Sequence, residues 1–114
     1  MDLALVVAIV PGLVLEGVER SLQVIGVRGI TVTKVKGYGE HANFFSRDWM
    51  TDEVKVEVFT ARDQVERITA AILDAAHTDS PGAGIVAILP VDQVFSARTR
   101  AAAMPNWVRR VYLM

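Results

Sequence analysis

The amino-acid sequence predicts an α+β sandwich whose strands and helices follow the order βαββαβ. Three observations carry this reading. Leu3–Val10 and Ile85–Val91 are short runs of β-branched and aliphatic residues, the pattern of strands packed on both faces. Leu13–Ile25 and Asp63–Ala76 place apolar residues at helical spacing. Glu53-Val-Lys-Val-Glu-Val-Phe-Thr60 alternates charged and apolar residues almost without fault, so one face of that strand is wet and the other buried.

Taken in order, the first strand ends at Pro11-Gly12, a pair that punctuates extended chain. In the first helix Val14, Leu15, Val18, Leu22 and Ile25 form the inward stripe, Glu16, Glu19 and Arg20 lie opposite, and Gly26 is the stop. Ile30-Thr-Val-Thr-Lys-Val-Lys36 reads as the second strand and runs into Gly37 and Gly39. Residues 40–52 read as a loop before the alternating third strand. The second helix turns Val65, Ile68, Ile72 and Ala75 or Ala76 inward, with Thr60 or Asp63 available as its N-cap. A turn-rich segment, His77–Gly84, leads to the fourth strand. This is the ferredoxin-like split βαβ arrangement, an antiparallel four-stranded sheet with both helices on one face. One sheet face is then left bare, and two strands apolar on both sides predict that it packs on further copies of the chain as a closed homo-oligomer, a trimer or a dimer. The segment 92–114 is less regular and reads as an extra strand or a short helix. There Arg98, Arg100, Arg109 and Arg110 interleave with Phe95, Trp107 and Tyr112, either as a phosphate clamp or as solvated charges beside edge aromatics.

Composition bounds the function. A chain of 114 residues that is 52% hydrophobic is the size of one domain with a real core, residues 1–114. Its formal charge of −1 disperses 12 basic and 13 acidic residues with no block of one sign, which argues against a nucleic-acid or anionic-membrane partner. Absence of cysteine removes disulfides and thiolate metal sites. Leu3–Val10 follows Asp2 without a basic flank and is less than half of the roughly 20 residues a membrane span needs, so a cytoplasmic protein is expected. No nucleophile-and-base set or paired catalytic carboxylates stands out, and His41 and His77 match no metal spacing. A non-enzymatic role is expected. The glycines of Gly37-Tyr-Gly39 and Pro81-Gly-Ala-Gly84 adjoin strands and either turn the chain or offer backbone N–H groups to an anion.

Read together, Gly29-Ile-Thr-Val-Thr-Lys-Val-Lys-Gly-Tyr-Gly39, Val54-Lys-Val-Glu57, Ala75-Ala-His-Thr78, Gly82-Ala-Gly84, Leu89-Pro-Val91 and Arg98-Thr99 resemble the PII signal-transduction family over roughly residues 3–100. The resemblance implies a homotrimer with adenine nucleotides in the clefts between subunits and a mobile loop, 39–52, that docks on a transporter or enzyme. By position it puts Gly29 and Thr31 near the adenine and Glu57 and Phe59 along the base or ribose wall. Gly37, Tyr38 and Gly39 would approach the phosphates, and Thr78 would sit near the base. Gly82, Ala83 and Gly84 would donate N–H groups to phosphate, and Arg98 would reach in from the C-terminal segment.

Departures from the family pattern concentrate on charge. Ile85 and Ser80 stand where typical members have lysines, and Ser96 where they have one of two arginines. Each lost cation removes a charge-assisted donor to a polyphosphate, so ADP or AMP is favoured and ATP is expected to bind more weakly. Glu40-His41-Ala42 replaces the usual Arg-Gln-Lys, and the loop is shorter and lacks the tyrosine that some members have modified. That points away from uridylylation and 2-oxoglutarate sensing. Phe44, Phe45, Arg47 and Trp49 in the loop suit a partner-docking hot spot, or else fold back on the domain. The chain resembles the short-loop, inorganic-carbon or carboxysome-associated branch. The expectation is a non-catalytic regulator of a bicarbonate transporter or the carbon-fixation apparatus, sensing ADP or AMP with bicarbonate as second effector. The alternatives are a nitrogen-regulatory member acting on an ammonium channel, a microcompartment shell-type tile, and a small ferredoxin-like enzyme.

Overall fold

Side chains of a strand alternate between the two sides of a sheet, so a core forms where the apolar members of several strands line up under helices. The computed structural model describes residues 2–37, 51–79 and 82–104. Strand β1 (Leu3–Pro11) leads through a 3₁₀ turn (Gly12–Val14) into helix α1 (Leu15–Val24). Strands β2 (Thr31–Gly37) and β3 (Thr51–Ala61) follow, then a second 3₁₀ turn (Arg62–Gln64), helix α2 (Val65–Ala76), β4 (Ile85–Val91), and a short hairpin of β5 (Phe95–Ser96) and β6 (Ala101–Ala102). The main sheet has the order β2-β3-β1-β4 and every pair is antiparallel. The expected βαββαβ order is therefore the observed one.

Val6, Ala8 and Val10 of β1 pair with Val58, Val56 and Val54 of β3, and all six are buried in one cluster with Val18 and Leu22 of α1 and Ile68 and Ile72 of α2. Burying each of these valine, leucine and isoleucine side chains contributes roughly 1.5–3 kcal/mol. Helix α1 closes with the two bonds of a Schellman motif, Val27 N–H to the Leu22 carbonyl and Gly26 N–H to the Gln23 carbonyl, each 3.0 Å. Gly26 takes φ 94°, and Val27 and Leu22 both enter the core, so this glycine stop also sets where the chain leaves the helix layer. No helix among the described residues is long and apolar enough to cross a membrane.

Four expectations are corrected. Residues 51 and 52, read as loop, belong to β3, because Gly37 pairs with Thr51 and Lys36 with Asp52, and the hairpin ladder continues past the last alternating residue. Neither Thr60 nor Asp63 is the N-cap of α2: Thr60 is fully buried with its hydroxyl donating to the Ala61 carbonyl at 3.0 Å, and a 3₁₀ turn precedes the helix without a side-chain cap. Strand β4 is not buried on both faces within the chain. It is the sheet edge, and Ile85, Ile88 and Leu89 stay exposed, Ile85 at 64%. Strand β1 is fully buried on its helix side, whereas on the other face Leu3 is buried and Leu5, Val7 and Ile9 are only half-buried. The C-terminal segment supplies two short strands, closed by Ala103 N–H to the Val94 carbonyl at 2.8 Å.

Candidate functional site

Residues directly opposite in a ladder share a face, so the register shows what the bare face of the sheet carries. Thr31, Glu57, Val7 and Ala87 form one row across it, and Phe59, Leu5 and Leu89 another. The row of Thr31 and Glu57 opens into a cleft of about 400 Å³ whose lining includes Gly29, Thr31, Glu57, Phe59, Phe95 and Ser96. Four sequence-predicted residues, Gly29, Thr31, Glu57 and Phe59, are thus gathered from the entry to β2 and the end of β3. Among the described residues Glu57 is the single charged one in the lining, and Phe59 and Phe95 are 42% and 62% exposed.

The turn-rich segment before β4 builds a second, smaller crevice of about 260 Å³, where Ala83 and Gly84 meet His77, Ile85 and the end of α2. Gly84 is required here. At φ 114° its Cα faces the Ile9 carbonyl and lies against Val10, so a Cβ would collide with β1. Gly82 also has positive φ, 91°. His77 Nε2 lies 3.6 Å from an Asp79 carboxylate oxygen in an exposed pair. Gly37 closes β2 at the same end of the sheet, paired with Thr51. Gly37, Thr78, Gly82 and Arg98 line neither hollow. Tyr38, Gly39, Phe44, Phe45, Arg47, Trp49 and Ser80, together with the tail aromatics and arginines Trp107, Arg109, Arg110 and Tyr112, lie outside the described residues. Among the described residues no group of three or more His, Asp or Glu could hold a metal ion.

The two hollows occupy opposite corners. The cleft sits on the β2–β3 side, from the Val7 row toward the start of β1, while Gly84 adjoins β4 beyond the Ile9–Ile85 pair. Both β1 and β3 lie between the β2 edge and β4, and neighbouring strands are about 4.8 Å apart.

The family model described as nitrogen regulatory protein P-II matches residues 3–101. The chain belongs to the P-II family. It is similar to nitrogen regulatory protein P-II of Cereibacter sphaeroides, 38% identical over 99 residues that cover 81% of this chain and 88% of the relative. It is 32% identical to nitrogen regulatory protein GlnK of Escherichia coli (strain K12), covering 86% of this chain and 94% of that protein. The P-II homolog of Arabidopsis thaliana is 35% identical over 75% of this chain, which spans 47% of that longer protein. In structure the chain resembles Arabidopsis thaliana PII bound to citrate, with a TM-score of 0.77 and 33% identity over 90% of this chain and 89% of the other. Members of the P-II family are signal-transduction regulators rather than enzymes.

In this P-II chain the structure adds residues that sequence reasoning left out of the cleft: Phe95, Ser96, Val94 and Met104. Strands of two residues are too short for any periodic signal, so Phe95 read only as an edge aromatic. Ser96 stitches its own turn. Its Oγ accepts the Thr99 N–H at 3.3 Å and its carbonyl accepts the Arg100 N–H at 2.8 Å. The hydroxyl that stands where the family has a cation is thus committed to the β5–β6 turn, and it presents no charge to the cleft.

Proposed function

We propose that this P-II chain is a homotrimeric, non-catalytic adenylate sensor of the cytoplasm, binding ADP or AMP in preference to ATP, with bicarbonate as second effector. The observation that carries the reading is the separation of the base-type residues Gly29, Thr31, Glu57 and Phe59 from the glycine loop at Gly82–Gly84. Corners this far apart on one sheet serve a common ligand when the cleft of one subunit faces the loop of the next. The exposed aliphatic residues of β4 support such an assembly, because Ile85, Ile88 and Leu89 find no cover among the described residues. Arg98 then contributes from the β5–β6 turn, and Thr78, Gly37, Tyr38 and Gly39 from the loop side.

The preference for short phosphate chains rests on charge. Ile85 follows the last glycine of the loop and is exposed, and Ser96 is engaged in its turn, so two positions that typically carry cations have none. The loop residues Phe44, Phe45, Arg47 and Trp49 are proposed to dock on a membrane transporter or a carbon-fixation protein. Calorimetry of the full chain with AMP, ADP, ATP, bicarbonate and 2-oxoglutarate tests the reading, with ADP and AMP expected to bind more tightly than ATP. No heat from any adenylate at high concentration would sink it.

A second reading, nitrogen regulation through an ammonium channel, is favoured by the names of the relatives, which are called nitrogen regulatory proteins. It requires 2-oxoglutarate to bind in the presence of ATP. Loss of the usual glutamine to His41 argues against that.

A further inference from the structure

We propose that Ser96 is a positioning residue: it holds the β5–β6 turn in one conformation and so pre-sets Arg98 for a phosphate of the ligand. The inference rests on the adenylate reading above. It concerns how a serine makes up in part for the cation that typically stands at its position.

The hairpin is too small to hold its own turn. Its ladder consists of Phe95 paired with Ala102 and Ser96 paired with Ala101, and the connection Ala97-Arg-Thr-Arg100 is exposed throughout. An isolated hairpin of this kind is marginal in water, and its loop samples many conformations. Here one residue ties the connection down twice. The Ser96 Oγ accepts the Thr99 N–H at 3.3 Å and the Ser96 carbonyl accepts the Arg100 N–H at 2.8 Å, so the two amides that follow Arg98 are both anchored. Arg98 therefore lies inside a loop closed by Ser96 on either side. Arg100 takes φ 59°, the only positive φ of a non-glycine residue among the described residues. A left-handed arginine is costly in an unconstrained chain, so the hydrogen bonds to Ser96 are what keep the turn in this form. The anchor is itself fixed, because Ser96 is half-buried and lines the cleft.

An arginine loses much rotamer freedom when it grips an anion, and a backbone fixed in advance lowers the ordering that the contact demands. A second cation would add charge along the phosphate chain. A serine that orders the turn adds none, so its benefit is confined to the phosphate that Arg98 meets and does not reach further phosphates. That agrees with a preference for ADP and AMP. A hydroxyl that touched the ligand directly would instead act independently of Arg98, and this difference can be measured.

The experiment is calorimetry of the full chain with ADP, on the unaltered protein, on Ser96→Ala, Ser96→Thr and Arg98→Ala, and on the double variant Ser96→Ala with Arg98→Ala. Neither residue belongs to the buried core, so the substitutions spare the fold, which circular dichroism checks. Ser96→Ala is expected to weaken ADP roughly 2- to 12-fold, the net worth of one hydrogen bond, and Ser96→Thr, which keeps the hydroxyl, to restore it. Arg98→Ala should weaken ADP more, because it removes a charge-assisted contact. In the double variant the loss should equal that of Arg98→Ala alone, since no arginine is left to position. Losses that multiply would overturn the inference while leaving the adenylate reading intact, because Ser96 would then not act through Arg98. Unchanged affinity in Ser96→Ala would do the same. Absence of ADP binding to the unaltered protein would remove the adenylate reading and this inference together.

Discussion

Strands β1 and β4 are both short aliphatic runs paired to each other along Leu3–Ile9, yet their surroundings differ. Ala4, Val6, Ala8 and Val10 of β1 are fully buried, whereas Ile85, Ile88 and Leu89 of β4 are exposed. The difference teaches that hydropathy reports a demand for burial without saying who meets it. Strand β1 has β3 and β4 as neighbours and both helices beneath it. Among the described residues strand β4 has one neighbour and lies at the sheet edge, where its aliphatic residues stay exposed.

The sharpest way to break that comparison is a matched pair of charges. Val6→Asp buries a carboxylate in the helix-covered core and should cost more than about 4 kcal/mol, read by urea unfolding. Leu89→Asp, on the bare face, should leave the helical circular dichroism in place and shift sedimentation to a smaller species. Equal destabilisation of the two would mean that β4 is as much core as β1.

Within the helix layer the same contrast recurs on adjacent residues. Ile72 is fully buried and Leu73 is half exposed, so Ile72→Ala should cost about 2–5 kcal/mol, and Leu73→Ala should stay within about 0.5 kcal/mol, in chemical denaturation. Where β4 begins, Gly84→Ala forces a Cβ against the Ile9 carbonyl at φ 114° and should lower stability by about 2 kcal/mol or more. A thermal melt measures it, and an unchanged melting temperature would show that the β1–β4 end gives way easily.

The smallest effect has the opposite sign. Gly17 lies inside α1 with open space where a Cβ would go, so Gly17→Ala should stabilise by about 0.5–1 kcal/mol. A loss of stability instead would mean that the outer face of α1 touches another subunit at close range.

Much of the fold was legible because periodicity is a local property. The alternation of Glu53–Thr60 assigned Val54, Val56 and Val58 to the core face, and the spacing of Val18, Leu22, Ile68 and Ile72 assigned the inward stripes, as the structure bears out. Helix starts were less legible. A 3₁₀ turn does the work expected of a Thr60 cap, and nothing in the residue types distinguishes the two. At the candidate site, Gly29, Thr31, Glu57 and Phe59 emerged from motif resemblance and meet in one cleft, while Phe95 was passed over because a strand of two residues leaves no pattern.

By itself the sequence determined which residues seek the interior, where the glycine turns fall, and that cations are missing at Ile85 and Ser96, since these follow from side-chain chemistry and short-range spacing. Only the tertiary structure decided that β4 is an edge, that the two hollows lie at opposite corners, and that Phe95 joins Phe59. Those facts depend on strand order and register, which unite residues distant along the chain and are set by long-range pairing rather than by local composition.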